Sequence, residues 1–519
     1  MTFESLDDAL AHGMALAFHA ALRPDKLAVA TRYGDRSFSE LNDRVNQLTR
    51  LLRAHDVRAG DAIALVTKNR PEFVEVYYAA MRTGVRVTPV NWHLTGAEAG
   101  YVIDNCEAKA LIYDAALGTA AEAAQQARNC SLRLSVGGPI PGFVDLDGAR
   151  AEFSVADISD PQRGSSMLYT SGTTGQPKGV YRREQSLQRS DSQQRAAGDP
   201  ETDRNLCTGP AYHAAPLVFN VVSPLNAGVG IVMMDSWDAE ETLRLIEEYA
   251  ITHTHMVATM FHRLLGLPDE VRSAYDLSSL KFVIHGAAPC PIHVKRAIIE
   301  WFGPIVFEYY AATEGGNNFL IDSQTWLQKP GSVGRAPDPE STRILDDDGI
   351  DVVQGETGGI YFRAPEVGRF EYFKAQEKTA ESYRGDWFTL GDMGHFDEDG
   401  FLFLSGRSAE TIISGGVNIY PQEIDAELLK HPMVVDVCTV GVPSEEWGEE
   451  VKSVVQLKPE ASASKELAES IMAFARDRLP GFKCPRSVDF ADDLPRLPSG
   501  KIQRRYVRAP YWEGRDKQI

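Results

Sequence analysis

Met167-Leu168-Tyr169-Thr170-Ser171-Gly172-Thr173-Thr174-Gly175-Gln176-Pro177-Lys178-Gly179-Val180 is the stretch from which the rest of the chain can be placed. It opens on a short apolar run that predicts a strand. The next ten residues carry four hydroxyls, three glycines and one lysine. Glycines let a backbone approach a ligand closely and turn its N–H groups onto an anion. The hydroxyls add donors, and Lys178 adds a mobile point charge suited to phosphate. The string is not a Walker loop, which needs four residues between its glycines and a Lys-Ser/Thr ending. Pro177 before the lysine and Gly179 after it also argue against a helix starting there. A Gly/Ser/Thr cluster by itself reads as a polar surface loop, but this ordered string with its lysine reads as a phosphate cradle.

Thr170-Ser171-Gly172-Thr173-Thr174-Gly175-Gln176-Pro177-Lys178-Gly179 resembles the phosphate loop of the adenylate-forming superfamily. That superfamily holds acyl-CoA synthetases, adenylation domains of peptide synthetases, and firefly luciferase. The likeness runs over nearly the whole chain and is most like a bacterial fatty-acid or related carboxylic acid CoA ligase. It implies that Thr170, Ser171, Gly172, Thr173, Thr174, Gly175 and Lys178 bind the phosphates of ATP.

The bulk composition agrees with an enzyme of this size. A chain of 519 residues is too long for one ordinary core. Its apolar and charged fractions, 43% and 24%, are those of a water-soluble globular protein. A net charge of −20 argues against non-specific nucleic-acid binding and against an anionic membrane surface. The six cysteines are scattered, with no C-x-x-C pair, which suits reduced thiols better than a disulfide frame or zinc site. No signal-peptide pattern and no run of roughly 20 apolar residues is seen, so a cytoplasmic location without a membrane span is expected.

Between Leu27 and Asp114, short apolar runs at Ala62–Thr67, Arg86–Val90 and Ala110–Asp114 predict strands. Between them, Ser39 is the expected cap of a helix carrying Leu41, Val45, Leu48 and Leu52, and Asn69-Arg70-Pro71 that of another. The rhythm resumes at Gly230–Asp235, Ala239–Tyr249, Thr252–Val257, Lys281–His285, Ile292–Phe302 and Ile305–Tyr310, and strands alternating with helices imply parallel βαβ units. The fold class expected is α/β. A large N-terminal domain of βαβ units with additional β structure, residues 1–406, precedes a small mobile α+β lid, residues 407–519. In the lid, strands are expected near Val434–Val442, Val451–Leu457 and Ser487–Phe490, and a helix near Lys465–Leu479.

Further stations of the same family follow in order. Tyr212-His213 resembles an aromatic-His element lining the carboxylate pocket, which implies a catalytic place for His213. His285-Gly286-Ala287-Ala288-Pro289 follows a strand, and its small residues suit close approach of a flat ring, so Gly286, Ala287 and Ala288 are nucleotide-binding candidates. Glu308-Tyr309-Tyr310-Ala311-Ala312-Thr313-Glu314 resembles the family's tyrosine-glycine-x-threonine-glutamate motif, placed after a strand end where open α/β sheets bind ligands. The resemblance implies that Tyr310 stacks on adenine, Thr313 donates to the α-phosphate, and Glu314 holds Mg2+, a hard cation suited to a carboxylate. Ala311 stands where the family usually has glycine, and its methyl should narrow the floor of the acid pocket. His213, Phe219, Met260, Ala311 and Asn317 are the expected lining.

Asp392 would accept the ribose hydroxyls, with Arg407 supporting it. Leu390, where relatives carry threonine, is a second departure. Gly415 and Gly416 resemble the wall of a pantetheine tunnel. Lys501, on a Pro-Ser-Gly turn, resembles the adenylation lysine, and Ala409 occupies the position where relatives pivot the lid, with Glu410 beside it. From Lys483 to Arg508 there are seven basic and three acidic residues, a segment expected to favour polyanionic CoA.

The expected activity is ATP-dependent ligation of a small-molecule carboxylic acid to CoA through acyl-AMP, the acid being fatty or otherwise hydrophobic. A carrier protein or other acceptor in place of CoA is the first alternative. A non-catalytic nucleotide- or acyl-binding protein is the second. A homodimer is the oligomer left open.

Overall fold

The computed structural model describes residues 3–170, 176–184, 189–496 and 502–513. Two compact units are present. One comprises Met1–Ala287, Arg296–Ser323 and Ala364–Glu381, and the other Ala288–Lys295, Gln324–Arg363 and Ser382–Ile519.

The first unit contains a six-stranded parallel sheet in the order Val144–Asp145, Leu132–Val136, Ala108–Asp114, Ala62–Val66, Arg86–Pro89, Ser165–Ser166. A second sheet runs Leu27–Thr31, Gly230–Met233, Arg204–Cys207, His253–Met256, Phe282–His285, Val306–Ala312, all parallel. Ala62–Val66 and Gly230–Met233 are apolar and buried throughout, as strands covered on both faces commonly are, whereas His253–Met256 is equally buried with a polar sequence. The helix Pro71–Met81 is buried nearly all round, and with Leu41, Val45, Leu48 and Leu52 of the helix Phe38–Ala54 it forms a core shared by strands of both sheets.

Local chemistry corrects two expected caps. The first helix is capped by Ser37, not Ser39: Ser37 and Glu40 form a reciprocal capping box, which a serine with glutamate three residues on makes possible. The second starts with Pro71 at its first position and Arg70 at its cap, whose side chain makes no capping bond and instead donates to Glu72 at 3.2 Å. Asn69 instead donates to the carbonyls of Gly209 and Met234 at 2.9 and 2.8 Å and accepts from Ala211 N–H at 2.9 Å. It ties the C-terminal ends of strands from the two sheets together.

In the second unit an antiparallel sheet runs Thr342–Leu345, Gly358–Arg363, Trp387–Phe396, Phe401–Arg407, Ser332–Arg335. Further along, a five-stranded sheet joins Val417–Ile419, Ile412–Ser414, Gly448–Leu457, Val434–Ser444 and Ser487–Phe490. Ile424 and Leu428 of the helix Pro421–Leu428, and Ile471 and Ala475 of Lys465–Arg476, bury its apolar face. This is the small α+β element expected at the C-terminus. No helix among the described residues is long and apolar enough to cross a membrane.

Candidate functional site

The apolar run before the phosphate loop is a strand, Leu168–Thr170, and Lys178–Tyr181 returns antiparallel to it with Lys178 opposite Thr170. No helix begins at the lysine. Ser171, Gly172, Thr173, Thr174 and Gly175 lie outside the described residues, as do Lys501 and the side chain of Asn317. Glu371–Tyr372 pairs with the other edge of Lys178–Tyr181 and completes a three-stranded sheet.

Thr313 and Glu314 directly follow a strand end, as expected, and the chain turns back there instead of entering a long loop. The strand Val306–Ala312 carries Tyr309, Tyr310 and Ala311, and pairs antiparallel with Gly315–Ile321, Ala312 opposite Gly315. Thr313 and Glu314 are therefore the two residues of a tight hairpin. Two side chains from the phosphate sheet hold it. Arg182 Nη2 donates to the carbonyls of Thr313 and Glu314 at 3.0 and 2.6 Å. Tyr372 Oη donates to Glu314 Oε1 at 2.9 Å, and Lys178 Nζ lies 5.1 Å from the centre of the same ring. Glu314 Oε2 has no protein partner among the described residues.

Such a carboxylate, oriented through one oxygen and open at the other, fits a hard cation that takes its remaining ligands from phosphate and water. Among the described residues no group of three or more His, Cys, Asp or Glu forms an all-protein metal cage.

His213 precedes a short helix, Ala214–Pro216, after the strand Arg204–Cys207. Burial, helped by the nearby His93 charge, pushes its imidazole down to about 4, so it is neutral at physiological pH. Its Nε2 and the neighbouring Tyr212 hydroxyl are buried without a hydrogen-bond partner among the described residues. A π-helical segment, Leu217–Val222, then turns Phe219 onto Tyr309 at 4.9 Å and onto His255 at 5.7 Å. Phe219 and Tyr309 form an apolar cluster against which Ala311, Ala215 and Val218 pack. Met260 is buried in the helix Ala258–Leu265 and is not part of that cluster.

Gly286 lies against Tyr309, where a Cβ would come within 2.5 Å of the ring. Ala287 has φ of 67°, a left-handed conformation costing a side-chain-bearing residue roughly 1–2 kcal/mol. Ala288 falls in the second unit. Tyr310 is buried in its strand beside Phe319.

In the second unit, Asp392 sits within the long strand Trp387–Phe396, not at a turn, and pairs across the sheet with Arg407. Arg407 Nε is 3.2 Å from Asp392 Oδ1. Gly415 and Gly416 form the turn between Ile412–Ser414 and Val417–Ile419 with φ of 58° and 81°, which side chains disfavour. Ser408–Glu410 is a single 3-10 turn. Glu410 is not a free charge there: Arg504 Nε is 3.3 Å from its carboxylate, and Arg504 also bonds Asp425 at 2.9 Å.

The basic C-terminal segment is corrected in the same way. Lys483 pairs with Glu423, Arg496 with Asp436, Arg504 with Asp425 and Arg508 with Glu449. Arg486 lies over the Trp447 ring at 5.5 Å. The positive excess seen along the sequence is thus largely matched in space.

Sequence reasoning missed Arg182 and Tyr372. Tyr372 lies in the aromatic run Phe370-Glu371-Tyr372-Phe373, but nothing in that run marks it as a partner of Glu314.

Comparison with known proteins fits this geometry. The sequence profile described as AMP-binding enzyme matches residues 16–370, and that described as AMP-binding enzyme C-terminal domain matches residues 423–501. The chain is 32% identical over 498 residues to an indoleacetate–CoA ligase of Aromatoleum aromaticum, covering 94% of this chain and 96% of that relative. It is 31% identical to a medium/long-chain-fatty-acid–CoA ligase of Mycobacterium tuberculosis, covering 92% and 86%. Among solved structures, ATP-bound MatB from Rhodopseudomonas palustris superposes with a TM-score of 0.80 at 29% identity, covering 95% and 98%. The chain belongs to the AMP-binding, adenylate-forming enzyme family. Within it, the chain is an enzyme of the AMP-forming acid–CoA ligases, which use ATP.

Proposed function

We propose that this ligase activates a fatty or related hydrophobic carboxylic acid. The acid carboxylate attacks the α-phosphorus of ATP, giving acyl-AMP and releasing pyrophosphate. The CoA thiol then attacks the acyl carbon and AMP leaves. The observation that carries the reading is the meeting of Lys178, Tyr372 and Glu314, a phosphate-seeking cation and a metal-seeking carboxylate on one ring. In this reading Thr170, Ser171, Gly172, Thr173, Thr174, Gly175 and Lys178 hold the departing pyrophosphate, and Thr313 donates to the α-phosphate. Glu314 would hold Mg2+, which neutralises charge on phosphate oxygens. Asp392, with Arg407, receives the ribose hydroxyls, and Lys501 bridges carboxylate and α-phosphate. Most of the catalysis is positioning and charge stabilisation.

The hydrophobic character of the acid is supported by the uncharged lining: a neutral His213 and the apolar group of Phe219, Tyr309 and Ala311. The acids named for the two ligase relatives, an indole acid and fatty acids, likewise carry an apolar body behind the carboxylate. We further place a domain boundary at 406/407, with Ala409 as pivot of the C-terminal lid and Gly415 and Gly416 beside the pantetheine arm. Pyrophosphate release over a panel of fatty, arylalkyl and short polar acids, followed by CoA-dependent AMP release, tests the reading. Hydrophobic acids should lead. Turnover confined to short polar acids overturns the acid class, and AMP release indifferent to CoA overturns the acceptor.

A further inference from the structure

The phosphate sheet and the Thr313-Glu314 hairpin share one side chain. Tyr372 stands opposite Val180 in the antiparallel register, so Lys178, two residues earlier on the same face, is its diagonal neighbour. The backbone around Tyr372 is held from two sides: its N–H donates to Thr379 Oγ1 of the helix Gln376–Glu381 at 2.9 Å, and Phe373 N–H donates to the Gly179 carbonyl at 2.8 Å. Phe370 meets the ring edge-on at 5.5 Å. The ring thus sits against Phe370, with Lys178 over its face and Glu314 on its hydroxyl.

We propose that Tyr372 is a positioning residue that sets the metal-binding carboxylate and the phosphate lysine relative to one another. A cation over a phenol ring draws electron density from it and strengthens donation by the hydroxyl. That bond fixes Glu314 Oε1 and leaves Oε2 directed to a cation, the role outer-sphere donors play for carboxylate ligands. The ring also gives the long Lys178 side chain a defined resting place, lowering the entropy lost when it engages a phosphate. The proposal rests on the reading of Glu314 as a metal carboxylate.

Mn2+ binding, followed by electron paramagnetic resonance on the full chain with a non-hydrolysable ATP analogue, tests it without relying on turnover. Tyr372→Phe keeps the ring and the lysine contact but loses the hydroxyl. It should weaken Mn2+ binding about tenfold while leaving metal-free nucleotide binding within about twofold of the parent. Tyr372→Leu should weaken both. Glu314→Gln is the reference. If it weakens Mn2+ binding and Tyr372→Phe does not, the role given to Tyr372 is overturned. If Glu314→Gln binds Mn2+ like the parent, the metal role of Glu314 fails, and that of Tyr372 with it.

Discussion

Arg182 is the sharpest test of how the Thr313-Glu314 hairpin is used. One guanidinium nitrogen bonds both turn carbonyls, at 3.0 and 2.6 Å. Arg182→Met keeps most of the aliphatic stem and removes the donor. Hydrogen bonds from charged donors are worth about 1.5–3 kcal/mol each, and here one nitrogen serves two acceptors, so about 2 kcal/mol is a fair figure for the anchor. The strands on either side keep their pairing, Ala312 opposite Gly315, so the hairpin should survive with a looser turn. If the anchor acts in the transition state, kcat/KM for adenylation falls roughly 30-fold. The melting temperature should stay within about 3 °C of the parent. Acid-dependent ATP–pyrophosphate exchange and a thermal melt on the same preparation give both values. Arg182→Lys should recover only part, since a point charge does not reproduce the planar fork. Exchange within about twofold of the parent, or a loss that merely tracks a collapsed melt, would refute the reasoning.

Three further outcomes are expected. Ala311→Gly should widen the acid profile toward bulkier acids by about 1–3 kcal/mol of discrimination, and an unchanged profile over acids of graded width refutes it. Lys501→Ala should lose acyl-AMP formation by orders of magnitude and keep thioester formation from supplied acyl-AMP, so equal loss of both half-reactions rejects its assignment. His213 has its folded-state pKa pushed down to about 4, so the unfolded chain protonates first. The stability its neutral form confers is whole above about pH 6.5 and is lost as the pH falls towards 4. His213→Asn should therefore flatten the fall in melting temperature over that window, and an identical slope in both proteins is the contrary result.

Much of the fold could be read along the chain because its signals are local. Apolar runs separated by helix-period segments mark parallel units wherever they occur, and the strands at Ala62–Val66, Arg86–Pro89, Phe282–His285 and Ser487–Phe490 stand where such runs predict them. Caps were less legible, because several serines can compete for one helix start. Ser37 prevails over Ser39 because Glu40 lies three residues after it and completes the box. The hairpin at Thr313-Glu314 was hidden for another reason. Gly315 and Gly316 resemble loop residues in sequence, yet with φ of 127° and 119° they lead the returning strand. Arg182 and Tyr372 reach their partners across 131 and 58 residues, a separation at which no local pattern carries information.

The basic C-terminal segment shows the converse failure, a pattern legible in sequence and dissolved in space. A run of positive residues predicts a polyanion site only if its charges face outward without counter-ions. Here the chain returns Glu423, Asp425, Asp436 and Glu449 from earlier elements to meet Lys483, Arg504, Arg496 and Arg508. Arg504 and Glu449 are themselves buried, where an unpaired charge would cost several kcal/mol. These cations therefore hold the C-terminal sheet and its last helix together. The case for CoA as acceptor accordingly rests on the ligase family to which the chain belongs, and not on the charge of this segment. The same logic gives Glu410 its place: paired with Arg504, it fastens the turn after Arg407 to the last helix of the unit.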